Sequence, residues 1–210
     1  IEYLNRIEHI SVREYSGQKL IKGLTGREIS VIVDPTLVIG KDVWDVNIPT
    51  ERKINEDYIF CYFLGNNPDQ REEAIKLSKE TGLKIVTLRH MDEFIKTDEA
   101  FGDYAPYDVG PAEFINMIRH ASYVCTDSFH GSVFSIINHK KFISFNRYGN
   151  NSKNSRNSRL DSLFNQIGID RRFKGNIVQE MFQDIDYDKV EVQLQKLRSC
   201  AENYLINALR

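Results

Sequence analysis

The chain has 210 residues, 41% of them apolar, which is enough to build a substantial core, and its 28 basic and 30 acidic side chains leave a formal charge of -2. This composition excludes disordered and fibrous classes, and the near-even balance argues against a surface built to attract polyanions such as nucleic acid. Cys61, Cys125 and Cys200 are odd in number and widely separated, so buried thiols in a reducing compartment are expected rather than a disulfide framework.

In chain order, residues 1 to 7 have the apolar spacing of the end of a helix. With no opening methionine and no basic lead ahead of an apolar run, the native protein is expected to begin upstream. A short extended piece, Ile10 to Arg13, precedes a helix predicted over Ser16 to Leu24 and a strand over Ile29 to Val33, which Asp34-Pro35 should end because proline cannot donate to a ladder. Leu37 to Asp57 has no clear periodicity and reads as a connector. Two domains are expected, residues 1–50 as part of a first Rossmann-like body with its connector, and residues 51–210 as a second.

The second body opens on the apolar run Tyr58 to Leu64, a helix predicted over Asp69 to Thr81 with Gly82 as its stop, and a strand over Leu83 to Leu88. Near-continuous apolar strands joined by helices signify a parallel sheet covered on both faces. After an irregular polar stretch, a helix is predicted from Pro111 to Arg119, a strand over Ser122 to Thr126, a helix over Phe129 to Asn138 and a strand over Lys141 to Phe145. A polar loop over Asn146 to Ser158, a helix from Arg159 to Ile167 and one long terminal helix from about Tyr187 to Leu209 complete the chain. The fold class is therefore a doubly wound α/β protein. No run approaches the roughly 18 apolar residues that a membrane-spanning helix needs.

The chemistry concentrates at Thr126-Asp127-Ser128-Phe129-His130-Gly131, between a strand and a helix. In open α/β sheets ligands collect beyond the strand carboxyl ends, where helix-start amides favour a phosphate or carboxylate. His130 brings an imidazole suited to giving or taking a proton, Asp127 is placed to orient that ring or accept a proton, and Gly131 permits close backbone approach. The same residues also suit a purely structural loop, with Ser128 as helix cap, Asp127 offsetting the helix dipole and His130 as an ordinary surface or core side chain.

Arg147 to Arg159 follows the next strand and should lie on the same sheet edge. Its guanidiniums suit bidentate capture of a small anion, its composition suits a lid, and Arg147 and Arg159 are preferred to Arg156. A solvated loop with incidental charge explains the segment equally well. Arg13 faces a cleft between bodies or pairs with Glu14, and Asp34 is a strand-end acid or a turn residue. No glycine-rich dinucleotide or phosphate-loop pattern occurs, and the five histidines lack metal-site spacing, so neither metal nor cofactor is expected.

Ile10-Ser-Val-Arg-Glu14, Asp34-Pro-Thr-Leu37, Tyr62-Phe-Leu-Gly65, Gly110-Pro-Ala-Glu-Phe-Ile115, Thr126-Asp-Ser-Phe-His-Gly131 and Asn157-Ser-Arg159 together resemble the polysaccharide pyruvyl transferase family, in order over about residues 10 to 170. The resemblance implies a fold similar to the GT-B glycosyltransferases and transfer of a carboxyvinyl unit from phosphoenolpyruvate to sugar hydroxyls of a surface polysaccharide or its lipid-linked precursor, closing a pyruvate ketal. It implies phosphoenolpyruvate and a glycan acceptor as partners, no nucleic acid, and a cytoplasmic location with association at the inner face of the membrane left open. His130 matches the family's acid or base, Arg13 the arginine after the first short strand, and Arg147 and Arg159 positions beyond the later strand. Ser128, Gly131 and Asn157 join them as expected substrate contacts. Several branches of the family carry arginine where this chain has Ser128, so the positive charge is expected from Arg13, Arg147 or Arg159. The family also implies that the chain starts inside the first domain. A nucleotide-sugar glycosyltransferase and a non-catalytic carbohydrate-binding module are the alternatives.

Overall fold

The computed structural model describes residues 1–148 and 157–210 and divides into two compact units. One comprises Ile1–Ile39, Asn157–Asp170 and Asp186–Arg210; the other comprises Gly40–Arg156 and Arg171–Ile185. A single boundary near residue 50 is the expectation from composition, whereas these units interleave along the chain.

In the first unit, α1 (Glu2–Arg6) precedes β1 (Ser11–Val12), α2 (Tyr15–Thr25) and β2 (Ser30–Val31), and the two strands pair in parallel with Ser11 beside Ser30. Asp34 ends this β-α-β piece by capping α3 (Pro35–Val38): its side chain accepts from the Thr36 amide at 3.0 Å, and Pro35 occupies the first turn, where its missing N–H is not needed. Two later helices belong here, α8 (Ser158–Ile167) and α10 (Tyr187–Ala208). The physical reason is burial: α10 packs Val190, Leu194 and Ala201 inward against α3 and α8, and Arg198 donates from Nε to the Leu37 carbonyl at 2.9 Å. Each large aliphatic side chain removed from water in this way contributes about 1.5–3 kcal/mol.

In the second unit, α4 (Lys41–Asn47) leads into β3 (Tyr58–Tyr62), α5 (Pro68–Thr81), β4 (Lys84–Thr87), α6 (Pro111–His120), β5 (Tyr123–Thr126), α7 (Phe129–Ile137), β6 (Lys141–Ser144) and α9 (Ile177–Phe182). The strands form a parallel sheet in the order β4-β3-β5-β6. Ile59, Phe60, Cys61, Val124, Cys125 and Phe142 are all wholly buried because helices cover both faces, which is why the strands read as unbroken apolar runs. Gly82 ends α5 in the left-handed region at φ 70°, a conformation that other residues rarely adopt. Cys61 and Cys125 are buried free thiols, and Cys200 is an exposed free thiol.

The stretch expected to be a connector instead contains the end of α3 and all of α4. Each spans too few turns to show a period, and α4 is held by tertiary contact, with Trp44 edge-on to Phe134 at 5.2 Å. The six-residue α9 likewise carries too short a pattern to announce itself, though it buries Ile177 and Met181. Among the described residues no helix is long and apolar enough to cross a membrane.

Candidate functional site

All four strands of the larger sheet point the same way, so their carboxyl ends lie along one edge, and Thr126-Asp127-Ser128-Phe129-His130-Gly131 leaves that edge after β5. Its backbone is locked by buried hydroxyls. Thr126 donates its hydroxyl to the Tyr62 carbonyl at 2.6 Å and accepts from the Ser128 amide at 3.0 Å. Ser128 caps α7, its Oγ accepting from the Gly131 amide at 3.3 Å. Ser132 bonds both the Ser128 carbonyl, at 3.1 Å, and the Ser144 hydroxyl, at 2.6 Å, tying the helix start to β6. Two of the helix-start amides, those of Ser128 and Gly131, are therefore engaged within the loop rather than offered to a ligand.

Gly131 owes its lack of a side chain to the same packing. A Cβ there would stand 2.5 Å from the Thr126 hydroxyl, so the close approach that the glycine permits is to Thr126. His130 points outward and is exposed, its ring edge-on to Phe129 at 5.4 Å. An imidazole at a strand exit, accessible to solvent and anchored by its neighbour's ring, can exchange protons with a bound molecule.

Asp127 departs from its expected role. Its carboxylate is buried and turned into the sheet edge, where Oδ1 accepts from the Leu64 amide at 2.7 Å and Oδ2 from the Gly65 amide at 2.9 Å. Arg147 lies alongside, with Nε 3.6 Å from Oδ1 and Nη2 donating to the Asp127 carbonyl at 3.2 Å. The carboxylate thus braces the loop after β3 instead of orienting the imidazole. Burial pushes its pKa up, and the two amides and Arg147 offset only part of that effect. Arg147 Nε is itself buried without a hydrogen-bond partner, while the guanidinium lies 5.9 Å from the Tyr148 ring centre.

Asp127, Ser128, His130, Gly131 and Arg147 therefore share one edge of the larger sheet. Arg13, Asn157 and Arg159 belong to the other unit, where Arg13 is paired with Asp34 and Arg159 donates to Glu14 at 3.2 Å, with Ser158 bonding the same carboxylate at 3.0 Å. Asn157 stands at the start of α8. Most of the polar loop after β6, including Arg156, lies outside the described residues.

Several residues at the larger sheet's edge have no expected role from sequence. Gly65 packs so closely on Asp127 and Arg147 that a Cβ would lie 2.9 Å from one and 3.1 Å from the other. The half-buried Tyr62 ends β3 within the fields of Arg147 and Asp127, and burial raises its phenol pKa. Arg71 and Asp98 form a buried ion pair, and His90 Nδ1 sits 2.7 Å from Asp98. The one signal available in the sequence is that Gln70 and Arg71 share a helix face with Ala74 and Leu77, an unusual place for polar side chains.

Comparison with known proteins adds the lineage. The fold matches the UDP-GlcNAc 2-epimerase of Methanocaldococcus jannaschii, solved with UDP-GlcNAc and UDP, at TM-score 0.52 and 16% identity over 90% of this chain and 55% of that one. It matches the glycotransferase of kitacinnamycin at TM-score 0.45 and 13% identity over 78% of this chain and 48% of that one. The chain thus spans about half the length of the solved structures that it matches. A search of curated protein sequences returns no match. The α/β class with parallel sheets flanked by helices, together with the likeness to the epimerase fold, agrees with the fold class expected from sequence. The sequence pattern of polysaccharide pyruvyl transferases matches residues 1–148, and the chain belongs to that family.

Proposed function

We propose that this chain carries part of an enzyme that transfers a carboxyvinyl unit from phosphoenolpyruvate to sugar hydroxyls of a cell-surface polysaccharide or its precursor. The observation that supports this most directly is the exposed His130 on the same sheet edge as Arg147, in a chain whose family assignment spans both. In this reading Arg147 holds the donor's carboxylate or phosphate, with Asp127 fixing its stem. His130 delivers a proton to the methylene carbon of the enol, which makes the neighbouring carbon electrophilic. One sugar hydroxyl adds there and loses its proton. The carbon–oxygen bond to phosphate then breaks, and a second hydroxyl of the acceptor takes its place, losing its own proton and closing the ketal with inorganic phosphate released. Positive charge near the departing phosphate lowers the barrier because negative charge accumulates there.

The donor needs no metal or organic cofactor in this scheme, and the acceptor is a glycan handled on the cytoplasmic side of the membrane. Phosphate release from phosphoenolpyruvate with a panel of oligosaccharide acceptors tests the reading. Release that depends on acceptor is the expected result. Binding of UDP-sugars without binding of phosphoenolpyruvate would transfer the site to nucleotide-sugar chemistry, and binding of oligosaccharide without turnover would make it a carbohydrate-binding module.

A further inference from the structure

We infer that Arg71 and Asp98 are positioning residues for the anion site, acting through the loop after β3. The inference rests on the reading of that edge as a donor site, but the geometry that carries it is independent of the donor's identity.

The loop from Leu64 to Asn67 is held from two sides by opposite charges. Its amides face an anion, with Leu64 and Gly65 donating to Asp127 at 2.7 and 2.9 Å. Its carbonyls face a cation, with Arg71 Nη1 donating to Gly65 and to Asn67, each at 3.1 Å. Gly65 is gripped at both ends. The carboxylate holds the peptide group before the Gly65 Cα and the guanidinium holds the one after it, so the two contacts fix successive peptide planes of the loop.

Arg71 can serve in this way because its other two nitrogens are held by a single acid. Nε and Nη2 both go to Asp98 Oδ1, with the Nε bond at 3.1 Å, and the plane lies 5.4 Å from the Phe63 ring centre and 5.7 Å from that of Phe101. Asp98 in turn accepts from the His90 amide at 3.1 Å and contacts the His90 ring at 2.7 Å, which anchors the segment after β4 to the same point. The neighbouring Gln70, also buried, donates to the Asn146 carbonyl at 2.9 Å, one residue before Arg147. The start of α5 therefore sets the backbone on both sides of the Asp127–Arg147 pair. Lysine at position 71 would keep the charge without the planar fork that spans Asp98 and two carbonyls.

The decisive comparison separates positioning from plain stability. Arg71→Met alone leaves Asp98 buried without its cation and should unfold at markedly lower urea. Combining Arg71→Met with His90→Leu and Asp98→Leu removes the charges together, a change that usually recovers much of the stability lost when one partner goes. In the triple variant we expect amide exchange at Leu64 and Gly65 to quicken and phosphoenolpyruvate affinity, read by calorimetry, to stay about tenfold or more below wild type even where the urea midpoint recovers, because small misplacements of a binding group carry penalties of that size. Unchanged exchange at Leu64 and Gly65 in the triple variant, or affinity that returns with stability, would overturn the inference. If wild type binds no phosphoenolpyruvate, the donor reading fails, while the exchange measurement still decides whether Arg71 and Asp98 hold the loop.

Discussion

Asp34 and Asp127 occupy equivalent places in the two units. Each follows a strand and precedes a helix, and each side chain belongs to a residue only 3% exposed. Burial is the largest influence on both and raises both pKa values, yet Asp34 ends below its ordinary value and Asp127 above it. At Asp34 the Thr36 hydroxyl and amide and the paired Arg13 outweigh burial. At Asp127 two amides and an arginine held 3.6 Å away do not. The difference teaches that a strand-end carboxylate is settled by the donors around it. Asp34 is a helix cap with a saturated set of partners, and Asp127 is a brace whose charge remains incompletely compensated beside Arg147.

The strongest way to break this contrast is at the edge that Asp127 braces. His130→Gln should lower acceptor-dependent phosphate release by about 10²-fold while circular dichroism stays native. Near-normal release would remove the imidazole from the chemistry. Gly131→Ala should destabilise by about 1–3 kcal/mol, measured by urea denaturation, because its methyl meets the Thr126 hydroxyl inside a saturated network.

Next in size is Asp34→Ala, expected to lose about 1–2 kcal/mol of stability through the missing cap while leaving donor affinity within twofold. The two acids should also titrate with opposite sign. Asp34, with its folded pKa depressed, contributes stability that is complete above its unfolded value of 3.8 and is lost as pH falls through the lower folded value. Asp127, with its folded pKa raised, contributes stability present below 3.8 and lost as pH rises through the higher folded value. Denaturation midpoints of Asp34→Asn and Asp127→Asn across the carboxylate range should therefore diverge from wild type in opposite directions, and parallel shifts would erase the distinction. The smallest effect belongs to Arg159→Ala, which removes a partly exposed pair with Glu14 and should change stability by less than about 1 kcal/mol. A fall in phosphoenolpyruvate affinity in that variant would give Arg159 a role in the donor site beyond the Glu14 pair.

Much of the local architecture is legible in the sequence. The helices over Pro68–Thr81, Pro111–His120 and Tyr187–Ala208 and the strands of the larger sheet fall within a few residues of the pattern read from apolar spacing, proline starts and glycine stops. The histidine loop is legible for the same reason, since its position depends only on a strand and a helix adjacent in sequence. The short α3, α4 and α9 are not, because one or two turns hold too few apolar residues to establish a period. Asp127 is misread from sequence because the imidazole of His130 lies only a few residues along the chain, while its hydrogen-bond partners are amides 63 and 62 residues away.

By itself, then, the sequence determined the kind and order of the elements and the place where a titratable side chain leaves a strand, because both rest on contacts within a few residues. Only the tertiary structure decided that α8 and α10 group with the first 39 residues, that Asp127 braces a distant loop, and that Arg71 completes the clamp with an acid 27 positions further along. Those outcomes depend on which surfaces parallel crossovers bring together, and apolar periodicity records which face of an element is buried without recording what buries it.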